Sequence, residues 1–170
     1  FAADDEVSLN EAATALATEE LMIERERDAA ALMNSAAIIT QSSALASAVR
    51  WDNSGVDPRP NIDLAAETVQ LAVGIPQERL SLQVNQETFN ILRRNDALMQ
   101  FFRVGNPGQT TMSRDQLAMA LGLKEVIVGG AIGNTAKQGQ TEANGYIWGK
   151  SALIFYREET PVSPMMPRGC

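Results

Sequence analysis

The chain contains no histidine. That removes the usual general base, the commonest zinc ligand and the ordinary titrating switch near neutral pH. An enzyme of this composition would have to work with carboxylates, lysine or tyrosine. The single cysteine, Cys170, is the last residue, which excludes an internal disulfide framework and points to a reducing compartment. No apolar run approaches the ~18 residues that cross a bilayer, so no membrane role is expected. The acidic start, Phe1 to Glu6, lacks the basic region of a secretory signal. There is no initiator methionine and both ends are abrupt, as in a processed or partly observed polypeptide.

What is present is ordinary for a globular protein. A chain of 170 residues, 45% apolar and 21% charged, is enough for one sizeable core or two small lobes. The charge is unevenly spread. Residues 1–30 hold nine acids against Arg25 and Arg27, which equals the whole net charge of −7. The remaining residues balance. An acidic segment repels nucleic-acid backbones, so sequence-specific DNA binding is not expected, and a solvated helix face accounts for the acids. Neither Asp4-Asp5-Glu6 nor the Glu24/Asp28 pair has the companion residues of a calcium loop. No metal or cofactor is expected.

Along the chain, Ser8-Leu9-Asn10-Glu11 reads as a capping box that opens a long helix running to about Asn34–Ala37. Its apolar stripe, Leu9, Leu16, Ile23 and Ala30, is narrow, and its flanks are too polar for a coiled-coil seam. Glu24 and Asp28 stand at helical spacings from Arg27 and Arg25 that allow ion pairs. Ile38, Ile39 and Val49 read as strand residues. The turn-rich stretch Trp51–Pro60 marks a lobe boundary, with Trp51 as a packing anchor.

Asn61 is expected to cap a helix Ile62–Val73 that stops at Gly74. Leu80–Val84 alternates like a half-buried strand. Asn85 caps a helix Gln86–Arg94, and Asp96–Phe102 forms another. Val104–Thr111 is a loop, and Ser113–Gln116 is a capping box leading to a stop at Gly122. Glu125–Val128 reads as a strand, followed by a long polar loop and a second strand through Tyr146–Trp148 and Ala152–Tyr156. Pro161, Pro164 and Pro167 make the tail extended.

Two motifs in this stretch suggest phosphate binding, and neither satisfies it. Gly145–Ser151 reads G-x-x-x-G-K-S, one residue short of a Walker loop. Its intervening Tyr, Ile and Trp are bulky, and a strand rather than a helix follows, which leaves Lys150 an ordinary strand lysine. Gly129-Gly130-Ala131-Ile132-Gly133 matches a dinucleotide fingerprint only loosely and reads as a strand ending in a turn. No nucleophile elbow G-x-S-x-G exists. No catalytic residue is assigned.

The order of these pieces resembles the major capsid proteins of tailed bacteriophages, which share the Hong Kong ninety-seven-type capsid fold. Ser8–Met33 is similar to the spine helix of that family. Arg50-Trp51-Asp52, Asp57-Pro58 and Asn61-Ile62-Asp63 resemble the junction into its axial domain. Leu80–Arg94 is similar to the strand and helix at that domain's core. Glu125–Gly129 and Gly145–Tyr156 resemble its closing strand pair. The family's usual N-terminal arm and extended loop have no counterpart before Phe1.

The resemblance implies an α+β, phage major-capsid-like fold with a long spine helix, a peripheral lobe and an axial lobe carrying a small mixed sheet. Residues 1–60, with return of the tail 157–170, would form the peripheral lobe, and 61–156 the axial lobe. It implies a structural subunit of a phage or prophage head that self-assembles as pentamers and hexamers into an icosahedral shell around DNA. Gly105, Asn106, Pro107, Asn134, Lys137, Gln138 and Gln140 become candidate subunit contacts, on polar loops placed at the capsomer centre. Scaffolding and portal proteins are implied partners. The implied location is the virion, assembled in the bacterial host cytoplasm. Two alternatives stand beside it: an encapsulin-like compartment shell, and a nucleotide-binding enzyme using Gly145–Ser151.

Overall fold

The protein is described here by a computed structural model covering residues 2–53, 55–105, 107–134, 140–141 and 143–158, with only the backbone described for residues 2–8 and Phe101. Leu80–Asn85 form β1, the middle strand of a three-stranded sheet. β2 (Glu125–Gly129) lies parallel to it, with Leu82 opposite Val126. β5 (Ala152–Tyr156) lies antiparallel along the other edge, with Leu82 opposite Ile154. The architecture is α+β, and the sheet is small and mixed as expected.

The two strands of the expected closing pair do not pair with each other. Each takes one edge of β1. Parallel pairing needs a long crossover, and the helices between β1 and β2 supply it. The stretch between β2 and β5 is also more than a loop. It forms a separate two-stranded ribbon from β3 (Ile132–Asn134) and β4 (Asn144–Tyr146), with Ile132 opposite Tyr146. Tyr146 therefore ends a strand instead of opening one through Trp148. Lys150 stands in the bend before β5, not in a strand.

The expectation of a half-buried β1 is also corrected. Leu80, Ser81, Leu82, Val84 and Asn85 are all buried. Successive side chains point to opposite faces, so both faces of this strand are covered. The buried Ser81 hydroxyl is satisfied by donating to Glu125 Oε1 at 2.9 Å.

Local signals place the helices around this strand. α2 (Arg59–Val73) starts earlier than Asn61 predicts, with Pro58 at its N-cap and Pro60 in its first turn. The Asp57 carboxylate takes over the capping, accepting the Arg59 N–H at 3.0 Å. Gly74 ends α2 in the left-handed conformation, its N–H donating to the Gln70 carbonyl. Asn85 caps α3 (Gln86–Leu92) by accepting the Thr88 N–H at 2.7 Å. Asn95 caps α4 (Asp96–Arg103) and also donates to the Val56 carbonyl. Both halves of the Ser113–Gln116 capping box open α5 (Arg114–Ala120). At its end Leu123 N–H reaches the Ala118 carbonyl and Gly122 N–H reaches Met119, a Schellman arrangement with Gly122 at φ 63°. The core gathers Ile62, Leu82, Leu92, Leu98, Met99 and Leu117, with Trp51 packed against it as an anchor.

α1 (Ala2–Met33) is different. Its 32 residues extend about 48 Å. The chain is already helical at Ala2, so the Ser8 capping-box pattern lies inside the helix and does not open it. Asp4, Asp5 and Glu6 suit a helix N-terminus, and no glycine or proline interrupts them. Of the predicted stripe, only Ala30 is buried; Ile23 is half-buried, while Leu9 and Leu16 are exposed. Residues 36–50 hold no strand, only turns and a single 3₁₀ turn at Ser47–Val49, and Ile38 is exposed. The proline tail from 159 onward and Cys170 lie outside the described residues.

Candidate assembly surface

The C-terminal half of α1 is fastened to the rest of the protein by polar contacts. The half-buried Trp148 donates its indole Nε1–H to Glu26 Oε1 at 2.7 Å. Arg27 Nη2 donates to the Asn134 carbonyl at 3.3 Å. The Ser151 hydroxyl hydrogen-bonds the Asn34 side-chain oxygen, and Asn34 Nδ2 ties back to the Ala30 carbonyl. Close approaches fix these positions. A Cβ at Gly129 would lie 2.4 Å from Trp148 Cδ1, so the indole rests directly on the end of β2. A Cβ at Gly133 would stand 3.2 Å from Arg27 Nη2. Trp148 is therefore a bridge, with its ring on the sheet and its N–H on α1.

Neither Glu26 nor Arg27 stood out in the sequence as a contact residue. The signal was the indole itself, since a half-covered indole N–H needs an acceptor. Its acceptor is 122 residues away, beyond the reach of local pattern.

The predicted contact residues fall on two separate connections. Gly105 and Pro107 follow α4 and are exposed, next to Val104, which is 90% exposed. Asn134 ends β3, Gln140 lies in the chain between β3 and β4, and both are exposed. Asn134 Oδ1 accepts the Ala143 N–H at 3.1 Å, which helps shape the ribbon's end. Asn106, Lys137 and Gln138 lie outside the described residues.

Lys150, in the near-miss phosphate motif, pairs with Glu87 at 2.7 Å. The hydrogen bond to that carboxylate holds its ammonium pKa above the ordinary range. β5 follows Ser151 directly, so the helix that must open after a phosphate loop's Lys-Ser does not follow this one. Among the described residues, no group of three or more acidic, histidine or cysteine side chains is placed to hold a metal ion. Among them, too, no helix is long and apolar enough to cross a membrane.

Several of the exposed large apolar side chains belong to α1. Leu9, Leu16, Leu21, Met22 and Leu32 are all uncovered, among exposed carboxylates. On α2, Leu64 and Leu71 are uncovered as well. Leu9 and Leu16 stand two turns apart on one side of α1, while Leu21, Met22 and Leu32 lie on others.

No family model matches this chain, and no curated protein matches it. Among solved structures, its fold is similar to that of a phage-related protein from Bordetella bronchiseptica RB50, with a TM-score of 0.70 at 18% identity. The similarity covers 87% of this chain and 47% of that one, so the chain spans less than half of its neighbour's length. At this identity the likeness establishes a shared fold.

Proposed function

We propose that the chain is a structural subunit of a phage or prophage head, assembling through rings of copies into a shell that encloses DNA. One observation carries this reading: α1 is fastened near its C-terminal end while most of its length is left bare, in a fold similar to that of a phage-related protein. Apolar side chains on a bare helix are explained by neighbouring polypeptide.

In this reading residues 1–60, with the tail 157–170, form the peripheral lobe and 61–156 the axial lobe. The loops carrying Gly105–Pro107 and Asn134–Gln140 meet the next copy around a ring. Rings close through heterologous contacts, so no self-complementary patch is required. The role needs no catalytic residue. The acids of α1 repel phosphate, which suits DNA that is enclosed without sequence-specific binding. Scaffolding and portal proteins are further partners, and the virion is the destination after assembly in the bacterial cytoplasm.

The test is negative-stain microscopy with size-exclusion chromatography on the complete gene product. Rings or shells are the expected result. A compact monomer under all conditions contradicts it, and shells filled with an enzyme in place of DNA would reassign the chain to a compartment shell.

A further inference from the structure

We infer that the arginines gathered around Phe89 receive an acidic ridge on α1 of a second copy. The inference rests on the assembly reading above and names one contact within it.

The ridge is set by helical spacing. Glu20, Glu24 and Asp28 recur every four residues and so lie in one line, about 12 Å long. All three are exposed. The side of α1 that meets the rest of the protein carries Ile23, Glu26 and Ala30, so the ridge lies on the adjoining flank of the helix. Arg27 is turned toward the Asn134 carbonyl. Among the described residues none of the three carboxylates has an ion pair. Arg25, three residues before Asp28, offsets part of this charge, and the remaining like charges at four-residue spacing favour further cations against them.

The matching surface is on the sheet lobe. The guanidinium carbon of Arg93 lies 5.6 Å from the Phe89 ring centroid, and that of Arg114 lies 5.9 Å from the same centroid. Arg93 Nε is buried without an acceptor. Arg94 follows in the chain and is exposed, and Asp115 beside Arg114 only partly offsets the three positive charges. Two guanidinium groups held against one ring lose little freedom when they bind carboxylates. The two surfaces are complementary in charge and occupy different parts of the chain. Their contact is heterologous, the kind that closes rings.

The test is sedimentation velocity on the full chain at low and high salt, with circular dichroism to verify folding. Arg114→Glu should weaken self-association about tenfold, and Glu24→Arg should do the same. The combined variant should recover most of the loss. Because Arg114 packs on Phe89, the exposed pair Glu20→Arg and Glu24→Arg provides an arm that does not touch the core. Association unchanged by the single variants overturns this contact and leaves the shell reading standing, as does weakening that the combined variant fails to restore. A duplex DNA probe that binds through Arg114 while association is unaffected also overturns it. No association of the unaltered chain at any concentration overturns both.

Discussion

Leu82 and Leu16 are the same side chain under two regimes. Leu82, in the middle strand, is fully buried among Leu80, Val84 and the helices of the sheet lobe. Leu16, near the middle of α1, keeps 64% of its surface exposed. The lobe is held by apolar burial. α1 is held by its own helix propensity and by a short set of polar contacts at Glu26, Arg27 and Asn34. The difference teaches where each region places its side chains: the lobe turns them inward, and the helix leaves them exposed.

The comparison breaks most visibly through core truncation. Leu82→Ala should cost about 3 kcal/mol in urea denaturation. Leu16→Ala should stay within about 0.5 kcal/mol in the isolated chain. Equal costs would erase the distinction between the two regions. A smaller effect, about 1–3 kcal/mol, is expected for Gly129→Ala, whose new methyl overlaps the Trp148 ring. In a Trp51→Phe background, the emission of Trp148 should shift as the indole is driven off Glu26.

Trp148→Phe sharpens the comparison further. It keeps an aromatic side chain there but removes the N–H that donates to Glu26, together with the five-membered-ring edge that lies on Gly129. The expected cost is about 1 kcal/mol. Hydrogen exchange should quicken more in residues 20–33 than in β1, because the N–H to Glu26 is an attachment of α1.

The smallest effect is at the connector between the regions. The bidentate hydrogen bonds from Arg59, with a closest approach of 2.7 Å, hold the Asp57 pKa below its ordinary 3.8. A carboxylate depressed in the folded state stabilises fully above the unfolded value and loses that contribution as pH falls through the folded one. Both side chains are about a third exposed, so solvent screening keeps the contribution under about 1 kcal/mol. The stability difference between Asp57→Asn and the unaltered chain should therefore be present at pH 6 and vanish as the pH drops below 3.8.

Much of the lobe was legible in the sequence because its signals are local. Asn85, Ser113, Gly74 and Gly122 mark helix ends within one turn of themselves, and all four do so in the structure. Strand partnership was not legible. Glu125–Gly129 and Ala152–Tyr156 both read as strands, but only tertiary packing decides that each joins β1 and not the other. The start of α1 was misplaced because a capping-box pattern can sit inside a helix whose preceding residues are themselves helical. Exposure of Gly105, Pro107, Asn134 and Gln140 followed from their polar, turn-forming neighbourhoods. The attachment of α1 through Trp148 did not, since nothing near the tryptophan names an acceptor at Glu26.

The most direct test of α1 as a surface kept for other copies is hydrogen exchange measured in the dilute chain and again in its associated form. The account predicts that amides of residues 9–19 exchange quickly when the chain is dilute and become protected on association, while β1 stays equally slow in both. Amides of α1 as slow as those of β1 in the dilute chain, or unchanged on association, would contradict it.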